Sequence, residues 1–502
     1  MSRLLIYPAG DFLRRNLMPL INIKNLTFGY DGSDTLLFDD ISVGIDTSWR
    51  LALAGRNGRG KTTFLKIIRG ELSYSGTVTG VPATVTFPCD ELPEVPEWRV
   101  KKELNLLGVD PDIMWRPVET LSGGERTKLM LAHLFAEDGI YPLIDEPTNH
   151  LDRHGRETIA RYLSSKDGFI LISHDRDFLD SCTDHTLVIT KTGVELTQSV
   201  FSTWWDNNEA RMAGEQARND QLKKEMSSID AAMKKNAQWS RKAEGDKSRT
   251  NSKVSENHLR RAYEGSKSAK LMSLSKNLEQ RNEKKLEEKK SLLRDVEKTE
   301  KLKIEGTVHH NKTPVRLNDV TLLRWGEPVA EHISLTVEAG KKISVQGPNG
   351  CGKSTLFKYL TGRGEEEGIT VSGDIYIAPG LKISYLSQDT SSLIGTLYDV
   401  CAARGADRTQ FSTILVKMGF TKEMLYRDSS RLSLGQKKCV MTALSLCEKA
   451  DLYIWDEPLN YIDVYLRREI ERLVKDSPIT MLFVEHDSAF AREVADFEFV
   501  FP

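Results

Sequence analysis

The sequence predicts an α/β chain of two repeated domains joined by a long α-helical hairpin. Three observations predict it: a glycine-rich octapeptide that occurs twice, the same train of motifs behind each copy, and about 100 residues of charged, helix-patterned sequence between them. A chain of 502 residues exceeds a single core, and at roughly 100–200 residues per domain it holds two or three. The net charge of -2 does not by itself call for a polyanionic partner. No apolar run approaches the ~20 residues that span a bilayer, so no membrane domain is expected. The six cysteines (Cys89, Cys182, Cys351, Cys401, Cys439, Cys447) are scattered without a C-x-x-C pair, which suits a reducing cytoplasm. Residues 1–17 are expected to be an N-terminal leader, with too short an apolar stretch for a secretory signal. The first domain is expected over 18–204, the hairpin over 205–310 with its tip at about 243–265, and the second domain over 311–502.

The repeat is clearest at G-R-N-G-R-G-K-T (55–62) and G-P-N-G-C-G-K-S (347–354), each following a short apolar run. Strand, glycine-rich loop and helix in that order form a phosphate cradle, with backbone N–H groups and the helix N-terminus facing the anion. The nucleotide-binding residues are therefore Gly55, Asn57, Gly58, Gly60, Lys61, Thr62 and Thr63 in the first half. Their counterparts are Gly347, Asn349, Gly350, Gly352, Lys353, Ser354 and Thr355. Lys61 and Lys353 are placed to reach the β/γ-phosphates, and Thr62 and Ser354 to hold Mg²⁺. Downstream stand L-S-G-G-E (121–125) and L-S-L-G-Q (432–436), then apolar runs ending in Asp145-Glu146 and Asp456-Glu457. Leu151-Asp152 and Ile462-Asp463 follow, and last Ser173-His174-Asp175 and Glu485-His486-Asp487. Asp145 and Asp456, at buried strand ends, suit Mg²⁺ through its water shell. Glu146 and Glu457 are placed to orient or deprotonate the attacking water.

This ordered set resembles the ABC ATPases, over nearly everything outside 205–310. The resemblance implies ATP and Mg²⁺ as ligands, and His174 and His486 as the histidines that contact the γ-phosphate. It implies that each signature, Ser122 with Gly124 and Ser433 with Gly435, completes the ATP site of the opposite half within one monomer. Site one would combine Lys61, Asp145, Glu146 and His174 with Ser433. Site two would combine Lys353, Asp456, Glu457 and His486 with Ser122. Asp152 and Asp463 complete the nucleotide-site set. Tyr30 is similar to the adenine-stacking aromatic, with Trp325 its match in the second half. Gln388 matches the family's Mg²⁺-associated glutamine, whereas Cys89 stands at that place in the first half; L-S-L-G-Q also departs from the usual signature. A thiol is a poor partner for Mg²⁺, so site one is expected to turn over more slowly than site two.

Between the halves, Leu222, Met226, Ile229 and Met233 recur at 4, 3, 4 spacing, and Leu271, Leu274 and Leu278, then Leu286, Leu293 and Val296, form a returning stripe. This pattern reads as two packed helical arms, each of ~35–40 residues and about 55 Å long. From 234 to 270 eleven bases face four acids, a net of +7. With His258 and Tyr263 interleaved, such a stretch suits RNA. The tip residues expected to reach rRNA or a drug site are Lys247, Arg249, Lys253, His258, Leu259, Arg260, Arg261 and Tyr263.

Two cassettes joined by such a hairpin resemble the ABC-F family. The stretch Gly265-Ser266-Lys267-Ser268-Ala269-Lys270-Leu271-Met272 and E-P-L-N-Y-I-D at 457–463 are similar to the Lsa/Vga/Sal-type antibiotic-resistance branch. Only the short stretch 73–81 stands where some housekeeping members insert an arm. The resemblance implies binding to the E site of the bacterial 70S ribosome, displacement of the P-site tRNA, contact with 23S rRNA, and release of lincosamides, pleuromutilins and group A streptogramins. A housekeeping factor that rescues stalled ribosomes shares every motif and differs mainly at the tip. A transporter ATPase would need membrane partners, and a DNA-repair ABC protein zinc-spaced cysteines or longer coiled coils; neither a membrane nor DNA is expected as a partner. One outcome tests the departure at Cys89: in a chain carrying Glu457→Gln, Cys89→Gln is expected to accelerate site-one hydrolysis, and unchanged phosphate release would refute the asymmetry.

Overall fold

The computed structural model describes residues 20–30, 36–89, 92–149, 151–191, 193–250, 304, 306 and 309–502. Those of 1–204 and 301–502 form one compact unit, and those of 205–300 a second.

The first half begins with β1 (Leu20–Phe28), β2 (Phe38–Asp46), β3 (Arg50–Gly55), α1 (Lys61–Ile68), β4 (Ser75–Thr79), β5 (Ala83–Phe87) and α2 (Glu97–Leu106). It continues with α3 (Gly123–Ala136), β6 (Ile140–Asp145), α4 (Arg153–Ser164), β7 (Phe169–Ile172), α5 (Arg176–Cys182), β8 (His185–Ile189) and β9 (Val194–Thr197). β1 buries alternate residues and lies between β2 and β4 in an antiparallel sheet, the period-2 pattern of a half-covered strand. Residues 75–79 thus form a sheet strand where an arm could have been inserted. The main sheet runs β5-β6-β7-β3-β8-β9, parallel except for β9. Phe169–Ile172 is buried throughout, as expected of a parallel strand covered on both faces.

The second half repeats the plan with β10 (Val315–Arg324), β11 (Glu327–Val337), β12 (Lys342–Gln346), α7 (Lys353–Leu360), β13 (Ile369–Ile377) and β14 (Ile383–Leu386). Then come α8 (Leu397–Ala403), α9 (Arg408–Lys417), α10 (Leu434–Cys447), β15 (Leu452–Asp456), α11 (Val464–Asp476), β16 (Met481–Val484), α12 (Ser488–Val494) and β17 (Phe497–Val500). β14-β15-β16-β12-β17 form an all-parallel sheet, and β11-β10-β13 an antiparallel one. This is the α/β P-loop nucleoside-triphosphatase architecture, twice. Both signature serines cap helices: Ser122 and Glu125 form a capping box at α3, and Ser433 and Gln436 one at α10.

Between the halves, one unbroken helix, α6, covers Phe201–Thr250, about 75 Å at 1.5 Å per residue. It exceeds the ~35–40-residue arm read from the sequence, and residues 243–250, assigned to the polar tip, continue it. No proline interrupts this stretch, and a single glycine costs a helix only about 1 kcal/mol. Leu222 is buried and Met226, Ile229 and Met233 are partly so, on one stripe. The returning stripe from Leu271 to Val296 lies outside the described residues.

The two halves meet through buried polar contacts. Asp463 Oδ2 accepts from Asn57 N at 2.9 Å, and Arg176 Nη2 donates to Glu471 Oε2 at 2.7 Å. Glu471 also pairs with Arg468 on its own helix. Glu471→Leu leaves both arginines without this carboxylate and is expected to lower unfolding stability by about 3–5 kcal/mol in denaturant titration. Arg176→Met, which leaves the Glu471–Arg468 pair intact, is expected to cost less than half as much.

Candidate active sites

Strand order assembles the sites. β6, β7 and β3 are neighbours, so the acidic pair after β6, the histidine after β7 and the phosphate loop after β3 emerge at one sheet edge. β15, β16 and β12 repeat the arrangement. Ligands in open α/β sheets bind outside these carboxyl ends.

In each phosphate loop the lysine folds back on the loop's carbonyls. Lys61 Nζ donates to Gly55 O at 2.8 Å, and Lys353 Nζ to Gly347 O at 2.8 Å and Pro348 O at 2.7 Å. The loop glycines are needed on two counts. Gly60 and Gly352 have φ of 91° and 105°, and a Cβ at either would lie within 2.9 Å of a neighbouring side chain. Asn57 and Gly58 lie in the first loop with Thr63 at the start of α1. Asn349, Gly350, Ser354 and Thr355 line a cavity together with Gly352, Lys353, Gln388, Asp456, Glu457, Asn460 and His486. Thr62 Oγ1 donates to Asp145 Oδ2 at 3.1 Å, and Ser354 bonds Asp456 in the same way. Burial raises both aspartates above their ordinary range, opposed by these hydroxyls and by the loop lysines.

The two glutamates occupy equivalent strained positions, with φ of 53° at Glu146 and 50° at Glu457. Each stands 3.4 Å from its histidine, His174 or His486. Their surroundings differ. Glu457 Oε2 accepts from Gln388 Nε2 and Asn460 Nδ2, both at 2.6 Å. Burial pushes its pKa up, but His486, Gln388 and Lys438 together outweigh this and hold the carboxyl below its ordinary value. Glu146 Oε1 is buried without a hydrogen-bond partner. Burial, reinforced by Asp145, pushes this carboxyl to about 8 against the opposing charges of Arg467 and Lys61. Burial and the charges of Lys61 and Arg467 keep His174 well below its ordinary value, hence neutral near pH 7. The register explains the difference: Phe87 pairs with Ile144 and Leu386 with Trp455, which puts Cys89 level with Gln388.

Sequence reasoning missed several contributors. Lys438 stands five residues after Ser433, where the first half has Thr127. Its Nζ donates to Ser387 O at 3.2 Å, next to Gln388. Asn460 and Glu485 stood in the quoted motifs without a role; Glu485 Oε2 accepts from Leu459 N at 3.1 Å. Aligning the halves shows Ser173 and Thr148 at the places of Glu485 and Leu459, a signal present in the repeat itself. Asp152 and Asp463 cap α4 and α11, and Asp463 alone of the two has its cross-half bond described above. Tyr30 is 52% exposed and its hydroxyl meets Thr63 Oγ1 at 2.8 Å, beside the first loop. Trp325 is 73% exposed and is not among the residues lining the second-site cavity, nor are Ser122 and Gly124. Gly435 sits where a Cβ would meet Tyr461 O at 2.9 Å. Of the tip residues, Lys247 and Arg249 lie in α6; Lys253, His258, Leu259, Arg260, Arg261 and Tyr263 lie outside the described residues.

The raised Glu146 gives a stability signature. Between its ordinary 4.5 and about 8 the folded chain keeps a proton that the unfolded chain has released, so stability falls as pH rises through this window. Glu146→Gln lacks the titration. Without nucleotide, its melting temperature is expected to exceed the parent's by several degrees at about pH 8.5 and to converge with it near pH 4.5.

A family model described as ABC transporter matches residues 38–149 and 330–460. The ATP-binding protein Uup of Caulobacter vibrioides is 28% identical over 95% of this chain and 76% of its own length. The ribosome protection protein VmlR of Bacillus subtilis is 25% identical over 96% of this chain and 86% of its own. Among solved structures, the archaeal ribosome recycling factor aABCE1, in complex with the stalk protein aP1, aligns at a TM-score of 0.60. That alignment covers 95% of this chain and 87% of that one at 19% identity, and speaks for the fold. The repeated site geometry and these matches make the chain an ATPase of two ABC domains of the P-loop fold in one polypeptide, similar over nearly its whole length to Uup and VmlR.

Proposed function

We propose that this ATPase acts on the bacterial 70S ribosome as a protection factor similar to the Lsa, Vga and Sal proteins. The observation that carries the reading is α6, a 50-residue helix entering a segment with a net charge of +7 between 234 and 270. The likeness to VmlR, named a ribosome protection protein, extends over 505 residues and so is not confined to the cassettes. In this reading the domains are 18–204, 205–310 and 311–502. The cytoplasmic monomer closes on ATP, enters the E site, displaces the P-site tRNA, and brings the hairpin tip against 23S rRNA. Lincosamides, pleuromutilins and group A streptogramins are dislodged, and hydrolysis releases the factor.

The site chemistry follows from the side chains. Lys61 and Lys353 give up their loop carbonyls for the β/γ-phosphates of ATP. Thr62 with Asp145, and Ser354 with Gln388 and Asp456, present the hard oxygen donors that Mg²⁺ prefers, and bound Mg²⁺ would supply charge neutralisation at the phosphate oxygens. Glu457, kept ionised by its amide donors, accepts a proton from the attacking water, with His486 beside it. Glu146 lacks the amide donors that surround Glu457, and burial pushes it toward its neutral form, so site one is the slower site. Tyr30 offers its ring to adenine. Ser433 and Ser122 complete sites one and two from the opposite halves.

Growth of a drug-sensitive bacterium tests the reading. The intact chain is expected to protect against lincomycin, tiamulin and virginiamycin M, whereas the Glu146→Gln/Glu457→Gln pair and a chain lacking residues 244–264 should not. A protein that gives no protection, while the double glutamine variant still arrests growth on ribosomes, is a housekeeping translation factor instead.

A further inference from the structure

Two arginines hold matching places in the repeat, Arg156 in α4 and Arg467 in α11, each four residues after a capping aspartate. Arg156 Nε donates to Leu151 O at 3.2 Å and its Nη1 to Asp175 Oδ2 at 2.8 Å. Arg467 Nε donates to Ile462 O at 2.8 Å and its Nη1 to Asp487 Oδ2 at 3.1 Å. Asp175 directly follows His174, and Asp487 directly follows His486. Each arginine is thus tied to the segment that carries its own half's histidine.

Each also reaches the other half's site. The cavity lined by Lys353, Ser354, Glu457 and His486 belongs to the second half, yet Arg156 is part of its wall, the one lining residue from the first half among the described residues. Reciprocally, the charge of Arg467 acts on Glu146 and His174. Asp175 and Asp487 feel one another's charge as well. A buried ion pair therefore runs from the second-site cavity through Arg156 to Asp175, the residue that follows His174. Arg156 is 8% exposed, so water screens it little. A guanidinium forms forked bonds to a carboxylate or a phosphate alike. A terminal phosphate bears more charge than the single carboxylate of Asp175.

We propose that Arg156 is a trans-acting sensor of the terminal phosphate at the second ATP site, sharing its guanidinium between that phosphate and Asp175. It distinguishes a nucleoside triphosphate from a diphosphate, and loosens Asp175 beside His174 when the triphosphate is bound. By linkage, the first site biases triphosphate binding at the second equally. The inference rests on the reading of this cavity as an ATP site.

The test uses the full chain carrying Lys61→Ala, which confines nucleotide to the second site, with displacement of a fluorescent nucleotide by ADP or by the non-hydrolysable analogue AMP-PNP. The parent of this series is expected to prefer AMP-PNP. Arg156→Gln should reduce that preference by roughly tenfold, the loss of one charge-assisted bond, with ADP binding unchanged; Arg156→Lys should recover part of it. Asp175→Asn, which releases Arg156 from its carboxylate, should raise the preference. A preference unchanged in Arg156→Gln, or lowered in Asp175→Asn as a purely structural tie would require, overturns the proposal. Should Arg156→Gln not fold, Asp175→Asn decides alone by the sign of its change. A Lys61→Ala chain that binds neither nucleotide overturns the ATP-site assignment itself, and the inference with it.

Discussion

In each half the ends of three adjacent parallel strands meet at one sheet edge, and their register decides where every reactive group lands. Asp145 pairs with Ile172, and Asp456 with Val484, so each acidic pair stands beside the turn that delivers the histidine. Glu146 N then donates to Ile172 O at 2.9 Å, and Glu457 N to Val484 O at 3.0 Å, locking the turns together. A slip of one residue would send each carboxylate to the opposite face and force the buried Phe169–Ile172 and Met481–Val484 runs to repack against helices shaped for other side chains. The apolar content of these strands therefore positions the chemistry as much as the polar motifs do.

On this shared frame the two sites diverge through a few side chains. Gln388, Asn460 and Lys438 surround Glu457 with donors and positive charge, and Glu485 straps the turn beneath it. Glu146 has no such amide donors: its Oε1 is buried without a hydrogen-bond partner, and burial with the charge of Asp145 outweighs Arg467 and Lys61. The same buried position thus stabilises an anion in one half and a neutral acid in the other. The cross-half arginines act on both sites, so neither half's electrostatics can be assigned without its partner.

Much of this was legible in the sequence because the determinants are local. Gly60 and Gly352 mark the phosphate loops, apolar runs mark the strands, and Ser122 and Ser433 announce their helices by capping boxes. The departure at Cys89 was legible because the repeat supplied its own reference at Gln388. The cross-half contacts were not: Arg176 and Glu471 lie 295 residues apart, and no periodicity predicts such pairing. Arg156 and Arg467 recur at equal spacing but sit amid charged residues on amphipathic helices, where the solvated face is the ordinary reading. The helical course of residues 243–250 was not read from the sequence because polar composition marks a turn only when a backbone breaker accompanies it. Residues 243–250 have one glycine and no proline.

The left-handed backbone at Glu146 and Glu457 has an evolutionary consequence. A glutamate at φ near 50° costs the fold on the order of 1–3 kcal/mol, which glycine would largely relieve. Stability alone would therefore drive both positions away from glutamate. Glycine at either position would relieve the backbone but remove the carboxylate, so each site holds its glutamate at a cost to the fold.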